Sequence, residues 1–243
     1  MKKLLFLFLV FILAAFPLFA QEGVVKWEAI PKTVAIVTNL GLGTGCIATE
    51  DGYIVTNKHV VYKCDFIKVY DSQFREYGAR LVGYHSECDI AVIKINPWEE
   101  LDYFSEEKQV ANPNQIFLMD EVYAIGHPHG SAWTITKGII SNKLEDKDGI
   151  RYFQVDASIN QGNSGGALVN NNGQLIGINF GAIPPAFAEN MAYAIAVASF
   201  AEEVLMLIEE DIDRVDVIEN VREYADSKWT TMYNMPSYHG HGY

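Results

Sequence analysis

The sequence predicts an all-β protein built from two β-barrels, followed by an amphipathic helix. Short apolar and β-branched segments recur between turn signals, and a polar segment divides them into two sets. After residue 198 the apolar residues change from the alternation typical of strands to steps of three and four, which is typical of a helix. With 243 residues, of which 49% are hydrophobic, the chain is long enough for two packed barrels.

The first set of strand-like segments occupies residues 24–96. Its segments read TVAIVTN, GCIATEDGYIVTN, FIKVYD, ARLVGY and DIAVIKI, and Asp51-Gly52 inside the second is a hairpin signal. Residues 97–115 are acidic and rich in turn residues, so we interpret them as a linker. The second set, at residues 116–198, reads EVYAIG, WTITKGIISN, RYFQVDA, GALVN, QLIGINF and MAYAIAV. We expect one barrel from each set.

Residues 199–243 form the C-terminal part. Apolar residues with helical spacing are Phe200, Val204, Leu207, Ile208, Val215, Ile218, Val221 and Tyr224. They predict an amphipathic helix with a break near residues 211–213, and its acidic residues are interpreted as a solvated face. We expect the apolar face to pack on the second barrel or on a neighbouring subunit, because an isolated helix of this length is marginal in water. The final residues, MPSYHGHGY, are interpreted as a loose tail.

The N-terminus has the pattern of a secretory signal peptide. Lys2 and Lys3 precede an apolar run over residues 4–20 that ends in the small residue Ala20, after which the chain becomes polar. We therefore predict cleavage after Ala20 and an exported protein, periplasmic or secreted. Retention of residues 1–20 as a membrane anchor is the alternative, although Pro17 interrupts the run and its length is at the lower limit for a span.

Charge and cysteine content exclude several function classes. The chain has 18 basic and 31 acidic residues, and loss of Lys2 and Lys3 leaves 16 basic residues and a net charge of −15. Nucleic acid is therefore not an expected partner, because phosphate binding needs a basic surface. Cys46, Cys64 and Cys88 allow one disulfide and one free thiol, but sequence does not determine the pairing. No ligand spacing typical of a structural metal site is present, so no metal is expected.

A candidate nucleophile lies in the segment DASINQGNSGGALVN, residues 156–170. Three glycines surround Ser164, which suggests a sharp turn with outward-facing backbone N–H groups. A plain turn between two strands is the alternative for this segment taken alone. A serine is a weak nucleophile unless a base accepts its proton, and His59, after the strand-like GYIVTN, is the best-placed histidine. Asp89 opens the apolar run DIAVIKI, where a carboxylate needs a partner, and is the candidate to orient His59.

The remaining histidines are weaker candidates. His127 and His129 flank Pro128 in a turn, His85 stands in a surface-like segment, and His239 and His241 lie in the tail. The order His59, Asp89, Ser164, in TNKHVV, CDIAVIKI and GNSGGALV, resembles the chymotrypsin-like serine peptidases. More narrowly, residues 41–198 resemble the HtrA group of envelope proteases. The resemblance implies two six-stranded antiparallel β-barrels and a Ser-His-Asp triad, with no cofactor.

The resemblance also assigns roles to the residues of the site. Ser164 would attack the peptide carbonyl, His59 would accept and return the proton, and Asp89 would orient His59. The N–H groups of Gly162 and Ser164 would form the oxyanion hole. The primary specificity (S1) pocket would lie near Ser158, with Ile159, Ile178 and Phe180 as its apolar wall. Because Ser158 is neutral, a small or medium apolar P1 side chain is expected.

The expected function is therefore an exported serine endopeptidase that acts on unfolded or damaged proteins. The alternatives are a chaperone-like or adaptor module that binds peptides on a protease fold, and a dedicated processing protease. Family members usually carry one or two PDZ domains and the resemblance implies a homo-oligomer, a trimer. Only about 45 residues follow Val197, which is too short for a PDZ domain, so substrate capture and activation through such a domain are not expected. Asn163 replaces the aspartate of digestive relatives, which argues against activation by N-terminal trimming.

Overall fold

A computed structural model describes residues 28–105, 109–127, 133–146, 148–180 and 192–215. Barrel one consists of β1 (Thr33–Thr38), β2 (Gly41–Ile47), β3 (Tyr53–Thr56), β4 (Ile67–Tyr70), β5 (Glu76–Tyr84) and β6 (Ala91–Lys94). Barrel two consists of β7 (Glu121–Gly126), β8 (Thr134–Glu145), β9 (Arg151–Val155), β10 (Ala167–Asn170), β11 (Leu175–Phe180) and β12 (Ala192–Ala196). The predicted signal peptide and tail lie outside the described residues.

Each set of six strands closes into an antiparallel barrel. The strand order is β1-β2-β3-β6-β5-β4 in barrel one and β10-β11-β12-β9-β8-β7 in barrel two. The predicted fold class, all-β with two six-stranded barrels and a C-terminal helix, is confirmed. The hairpin signal is also right: Gly52 connects β2 to β3 with φ of +101°, a conformation that side chains with a Cβ rarely adopt.

The barrels share an apolar layer. Branched residues such as Ile36, Ile54 and Ile93 fill the interior of barrel one, and a separate cluster fills barrel two. A third cluster joins residues of both barrels, among them Val55 and Val92 from barrel one and Ile125, Ala167 and Ile178 from barrel two. Burial of this layer holds the barrels together, because apolar area removed from water stabilises in proportion to its extent.

Two α-helices and three short 3-10 helices, Ile30–Lys32, Pro113–Gln115 and Val197–Ser199, are described beside the strands. Helix α1 (Lys58–Val61) is a single turn that follows β3, with Asn57 at its N-cap position. Helix α2 comprises residues 201–215 and runs without interruption through the break predicted at 211–213. No helix in the described part of the chain is long and apolar enough to cross a membrane.

Helix α2 packs across the interface of the barrels and pairs with barrel one. Val204 and Ile208 enter the shared apolar layer. Asp211 accepts hydrogen bonds from Arg80 of β5 at 2.8 Å and from the Tyr53 hydroxyl of β3 at 2.9 Å. Hydrogen bonding to Arg80 keeps the pKa of Asp211 below its ordinary value. In the described part of the chain, the charged side chains of α2 that leave the helix, Asp211 and Glu203, contact barrel one, whereas its apolar residues reach the layer shared with barrel two.

The three cysteines do not form a disulfide. Cys46, Cys64 and Cys88 are all free thiols, so the alternative with one disulfide is not realised. Cys46 and Cys88 are buried, and burial raises the pKa of Cys88 to about 12. Both buried thiols therefore remain protonated and unreactive at neutral pH.

Candidate active site

Barrel one supplies a hydrogen-bonded acid–base pair. His59 lies on α1, and Asp89 lies two residues before β6. The His59 ring Nδ1 and Asp89 Oδ2 are 2.5 Å apart, and the His59 backbone N–H donates to Asp89 Oδ1 at 2.9 Å. Because a carboxylate can only accept, Nδ1 carries the proton, and in the neutral ring Nε2 has a free lone pair. The imidazole is half exposed, so this lone pair is available to a reacting group.

The backbone of Asp89 is tied to the same turn of chain. Its carbonyl accepts from the Lys58 N–H at 3.2 Å and from the Asn57 side-chain amide at 2.9 Å. Asp89 therefore accepts hydrogen bonds from three consecutive residues, Asn57, Lys58 and His59. These bonds set the position of α1 relative to Asp89 independently of the side-chain bond between His59 and Asp89.

Helix α2 reaches the loop that carries Asp89. Glu203 accepts from the Ser86 N–H at 2.6 Å and from the Ser86 hydroxyl at 2.9 Å, and lies 3.2 Å from His85 Nε2. His85 Nδ1 accepts from the N–H groups of Glu87 and Cys88 at 3.1 Å each. The interpretation of His85 as a surface residue is wrong: it is 6% exposed and shapes the loop before Asp89.

Barrel two supplies the loop of Ser164, between β9 and β10. The Asn163 N–H donates to the Asn160 carbonyl at 3.0 Å, which closes a four-residue turn with Gly162 at its third position. Gly162 has φ of +100°, as the third position of a type II turn requires. Among the described residues, the N–H groups of Gly162 and Ser164 donate to no backbone or side-chain acceptor. Both are therefore free to bind an oxyanion.

Gly165 brings the Ser164 loop against barrel one. A Cβ at this position would lie 2.1 Å from the Thr44 carbonyl oxygen and 2.2 Å from Thr56 Oγ1, and the residue has φ of +84°. Only glycine satisfies both constraints. Thr56 is three residues before His59, so this contact places the serine loop beside the start of α1. Among the described residues, no hydrogen bond joins Ser164 Oγ to His59.

The predicted S1 residues do not form one group. Ser158 is exposed, Ile159 is buried in the core of barrel two, and Phe180 stacks edge-on to His59 at 6.3 Å between ring centroids. The assignment of Ile178 to the S1 wall stays a prediction. It is fully buried and packs in the shared apolar layer, where it lines a cavity of about 150 Å³ under α2.

Two residues of the site region could not be recognised from the sequence. Thr44 is fully buried, and its hydroxyl donates to the Gly162 carbonyl at 2.7 Å. His127, interpreted as part of a turn, is 4% exposed, and its N–H donates to Thr44 Oγ1 at 3.1 Å. Both contacts span more than 80 residues, and no local signal reveals them. His129 lies outside the described residues.

Groups of three or more potential metal ligands are absent from the described part of the chain. The constellation of His59, Asp89 and Ser164 consists of side chains and backbone N–H groups alone. It supplies a base, an acid that orients the base, a hydroxyl and two free amide donors. These are the groups that acyl transfer through a serine nucleophile needs.

Comparisons with known proteins identify similar chains. The family model described as "Trypsin-like peptidase domain" matches residues 43–178. A "Probable periplasmic serine endoprotease DegP-like" of Chlamydia trachomatis is 44% identical over 141 residues, which are 56% of this chain and 27% of the relative. The "Periplasmic serine endoprotease DegP" of Escherichia coli K12 is 41% identical over 151 residues, 60% of this chain and 31% of the relative.

A solved structure is also similar. "HtrA-type protease AlgW with tripeptide" superimposes with a TM-score of 0.70 and 34% identity, covering 78% of this chain and 64% of that one. The matched part of the present chain spans about a third of the length of the curated relatives. The residues matched by the family model run from β2 into β11, so the match includes strands of both barrels.

Proposed function

The chain belongs to the family of trypsin-like peptidase domains, and on this premise we propose that it is a serine endopeptidase that hydrolyses peptide bonds with Ser164, His59 and Asp89. The observation that carries the proposal is the His59–Asp89 pair, in which both carboxylate oxygens bind the same histidine residue. Asp89 holds His59 in the tautomer whose Nε2 can accept a proton. Ser164 then attacks the carbonyl carbon as His59 takes its proton, and His59 returns the proton to the leaving amine.

The oxyanion of the tetrahedral intermediate binds the N–H groups of Gly162 and Ser164. These donors are fixed by a turn rather than recruited from solvent, so they need little reorganisation when negative charge develops. The loop glycine at position 162 leaves no Cβ next to the bound oxygen. No metal or organic cofactor takes part in this chemistry.

The substrates we propose are unfolded or damaged proteins in the periplasm or outside the cell, cut after small or medium apolar residues. Support for the location comes from the periplasmic serine endoproteases among the relatives and from the N-terminal apolar run. Support for the P1 preference is that Ser158 brings no charge to the expected pocket. A peptide library that showed preference for a basic P1 residue would overturn this part of the proposal.

The first test is replacement of the nucleophile. Ser164→Ala should reduce cleavage of a casein-like substrate to background, because the other groups of the site cannot form an acyl-enzyme. A labelled fluorophosphonate should modify the wild-type protein at Ser164 and leave the variant unlabelled. Retained proteolysis in Ser164→Ala would contradict the proposal. Tight binding of unfolded protein without turnover by the wild type would instead identify a binding module.

A further inference from the structure

The hydroxyl of Thr44 lies at a junction between β2, the Ser164 loop and the end of β7. It donates to the Gly162 carbonyl at 2.7 Å, receives the backbone N–H of His127 at 3.1 Å, and lies 3.3 Å from the His127 ring Nδ1. Thr44 is fully buried, so water does not compete for these bonds. Each contact joins segments that are distant in the chain.

The direction of the hydrogen bonds follows from counting protons. A threonine hydroxyl has one proton, and the Gly162 carbonyl can only accept it. The contact between Thr44 Oγ1 and the His127 ring therefore needs a proton on Nδ1, which leaves Nε2 as an acceptor. Nε2 is buried without a hydrogen-bond partner among the described residues. His127 is thus neutral, and its ring fills the remaining acceptor site of the hydroxyl.

The bond to Gly162 fixes one particular peptide unit. The peptide between Gly162 and Asn163 is held at its oxygen by Thr44 and at its nitrogen by the Asn160 carbonyl. The peptides on either side of this unit carry the N–H groups of Gly162 and Ser164. Rotation of the central unit would turn both flanking donors, so its orientation determines whether the two N–H groups converge.

Backbone bonds of Thr44 tie the same loop to the strand that precedes the base. The Thr44 N–H donates to the Ser164 carbonyl at 2.8 Å, and the Thr44 carbonyl accepts from the Thr56 hydroxyl at 2.7 Å. Thr56 ends β3, immediately before Asn57 and α1. One residue therefore contacts the nucleophile loop at two carbonyls and the strand that leads to His59.

We propose that the Thr44 hydroxyl is a positioning group for the oxyanion hole, which holds the Gly162–Asn163 peptide so that the N–H groups of Gly162 and Ser164 point at the developing charge. The inference rests on the proposed endopeptidase function. Thr44 does not touch the substrate. Its effect is exerted through the backbone of the loop, and His127 completes the hydrogen bonding of the hydroxyl.

Thr44→Val tests the inference because it keeps the branched shape and removes the hydroxyl. Direct removal of an oxyanion donor lowers kcat by about 100- to 1,000-fold in serine proteases, so we expect roughly a 10- to 100-fold fall in kcat for an indirect effect. KM for a fluorogenic peptide should change little, because ground-state binding does not use the oxyanion donors. Thr44→Ser keeps the hydroxyl and should restore kcat to within about threefold of wild type.

Inhibitor binding separates positioning from general damage. A peptide aldehyde forms a tetrahedral adduct with the serine, so its inhibition constant should rise in Thr44→Val in parallel with the fall in kcat. Thr38→Val is the matched control: Thr38 is a buried threonine in β1 whose hydroxyl accepts from the Leu40 N–H, and its loss should leave kcat unchanged. If Thr44→Val does not fold, the contrast between Thr44→Ala and Thr44→Ser tests the same hydroxyl.

The outcomes distinguish the inference from the function on which it rests. A wild-type protein that neither cleaves peptides nor reacts with a fluorophosphonate would overturn the proposed function. An active wild type with unchanged kcat and aldehyde affinity in Thr44→Val, or in Thr44→Ala, would overturn the role of Thr44 alone. A kcat in Thr44→Ser as low as in the hydroxyl-free variants would also overturn it, because packing rather than hydrogen bonding would then be responsible.

Discussion

The two barrels contribute to the site in different ways. Barrel one presents an ionisable pair, His59 and Asp89, at a half-exposed position and holds it by side-chain hydrogen bonds. Barrel two presents Ser164, which is 8% exposed, on a loop held by backbone hydrogen bonds and glycine conformations. The charged half stays near solvent because burying an ionised group is costly, whereas the neutral half can be buried and rigid.

The same contrast separates two histidines. His59 has a carboxylate partner on Nδ1, and its ring is half exposed. Among the described residues, the His127 ring contacts the Thr44 hydroxyl and the edge of the Trp133 ring, at 4.1 Å between centroids. Burial without a counter-charge lowers the pKa of His127 from its ordinary value of 6.5 to about 4. A histidine can thus serve as a base in barrel one and as a neutral structural group beside barrel two.

The largest loss of kcat should come from Asp89→Asn, which changes the acid–base pair of barrel one. An amide can donate to Nδ1, which would hold His59 in the tautomer whose Nε2 already carries a proton. In Ser-His-Asp enzymes this change lowers kcat by about 10,000-fold while the fold persists, and we expect a loss of that order here. The measurement is kcat on a fluorogenic peptide, with circular dichroism to check folding. Asp65→Asn, an exposed change in barrel one, serves as control; a loss below tenfold in Asp89→Asn would argue against the triad.

The second-largest effect is the pH dependence of stability that His127 causes. Because its pKa in the folded protein lies below that of the unfolded chain, the unfolded state binds more protons between about pH 6.5 and pH 4. The contribution of neutral His127 to the free energy of unfolding is therefore fully present above about pH 6.5. It is lost as the pH drops toward 4, by up to about 1.4 kcal/mol per pH unit and about 3 kcal/mol in all. Urea unfolding at pH 7, 6 and 5 measures this slope.

The matched variant for this prediction is His127→Asn, which removes the titrating ring. Its stability should fall less steeply between pH 7 and pH 5 than that of the wild type. Parallel slopes for the two proteins would show that other groups cause the loss and that His127 is not forced to remain neutral.

The smallest effect should come from Glu203→Gln on α2. The substitution keeps one acceptor oxygen but weakens the bonds to Ser86 by removing the charge, which costs about 1 kcal/mol. Because these bonds hold the loop before Asp89, kcat should fall about two- to fivefold. Glu209→Gln, on an exposed position of the same helix, is the control. Equal kcat values for the two variants would show that α2 does not support the acid.

The sequence by itself predicted the two barrels, which the structure confirms, and named the candidate residues of the site. Alternating segments between turn signals predict strands, because side chains of a strand point to opposite faces. The glycines around Ser164 could be recognised because positive φ and close approach exclude other residues, as Gly162 and Gly165 show. His59 and Asp89 became candidates because a serine nucleophile needs a base and that base needs an acid, but it was the resemblance to the chymotrypsin-like serine peptidases that favoured Asp89 over a plain strand-end turn residue.

Only the tertiary structure decided which core a buried side chain enters and which residues far apart in the chain contact each other. All but the last residue of β11 are buried, so alternation could not show that Ile178 packs in the apolar layer shared by the two barrels. His85 is buried where Glu203 of α2 contacts it, far along the chain. Thr44 and His127 are 83 residues apart, and their bond forms because barrel closure brings β2 beside the end of β7. Such contacts depend on how two closed barrels pack together, and no periodicity within either one encodes them.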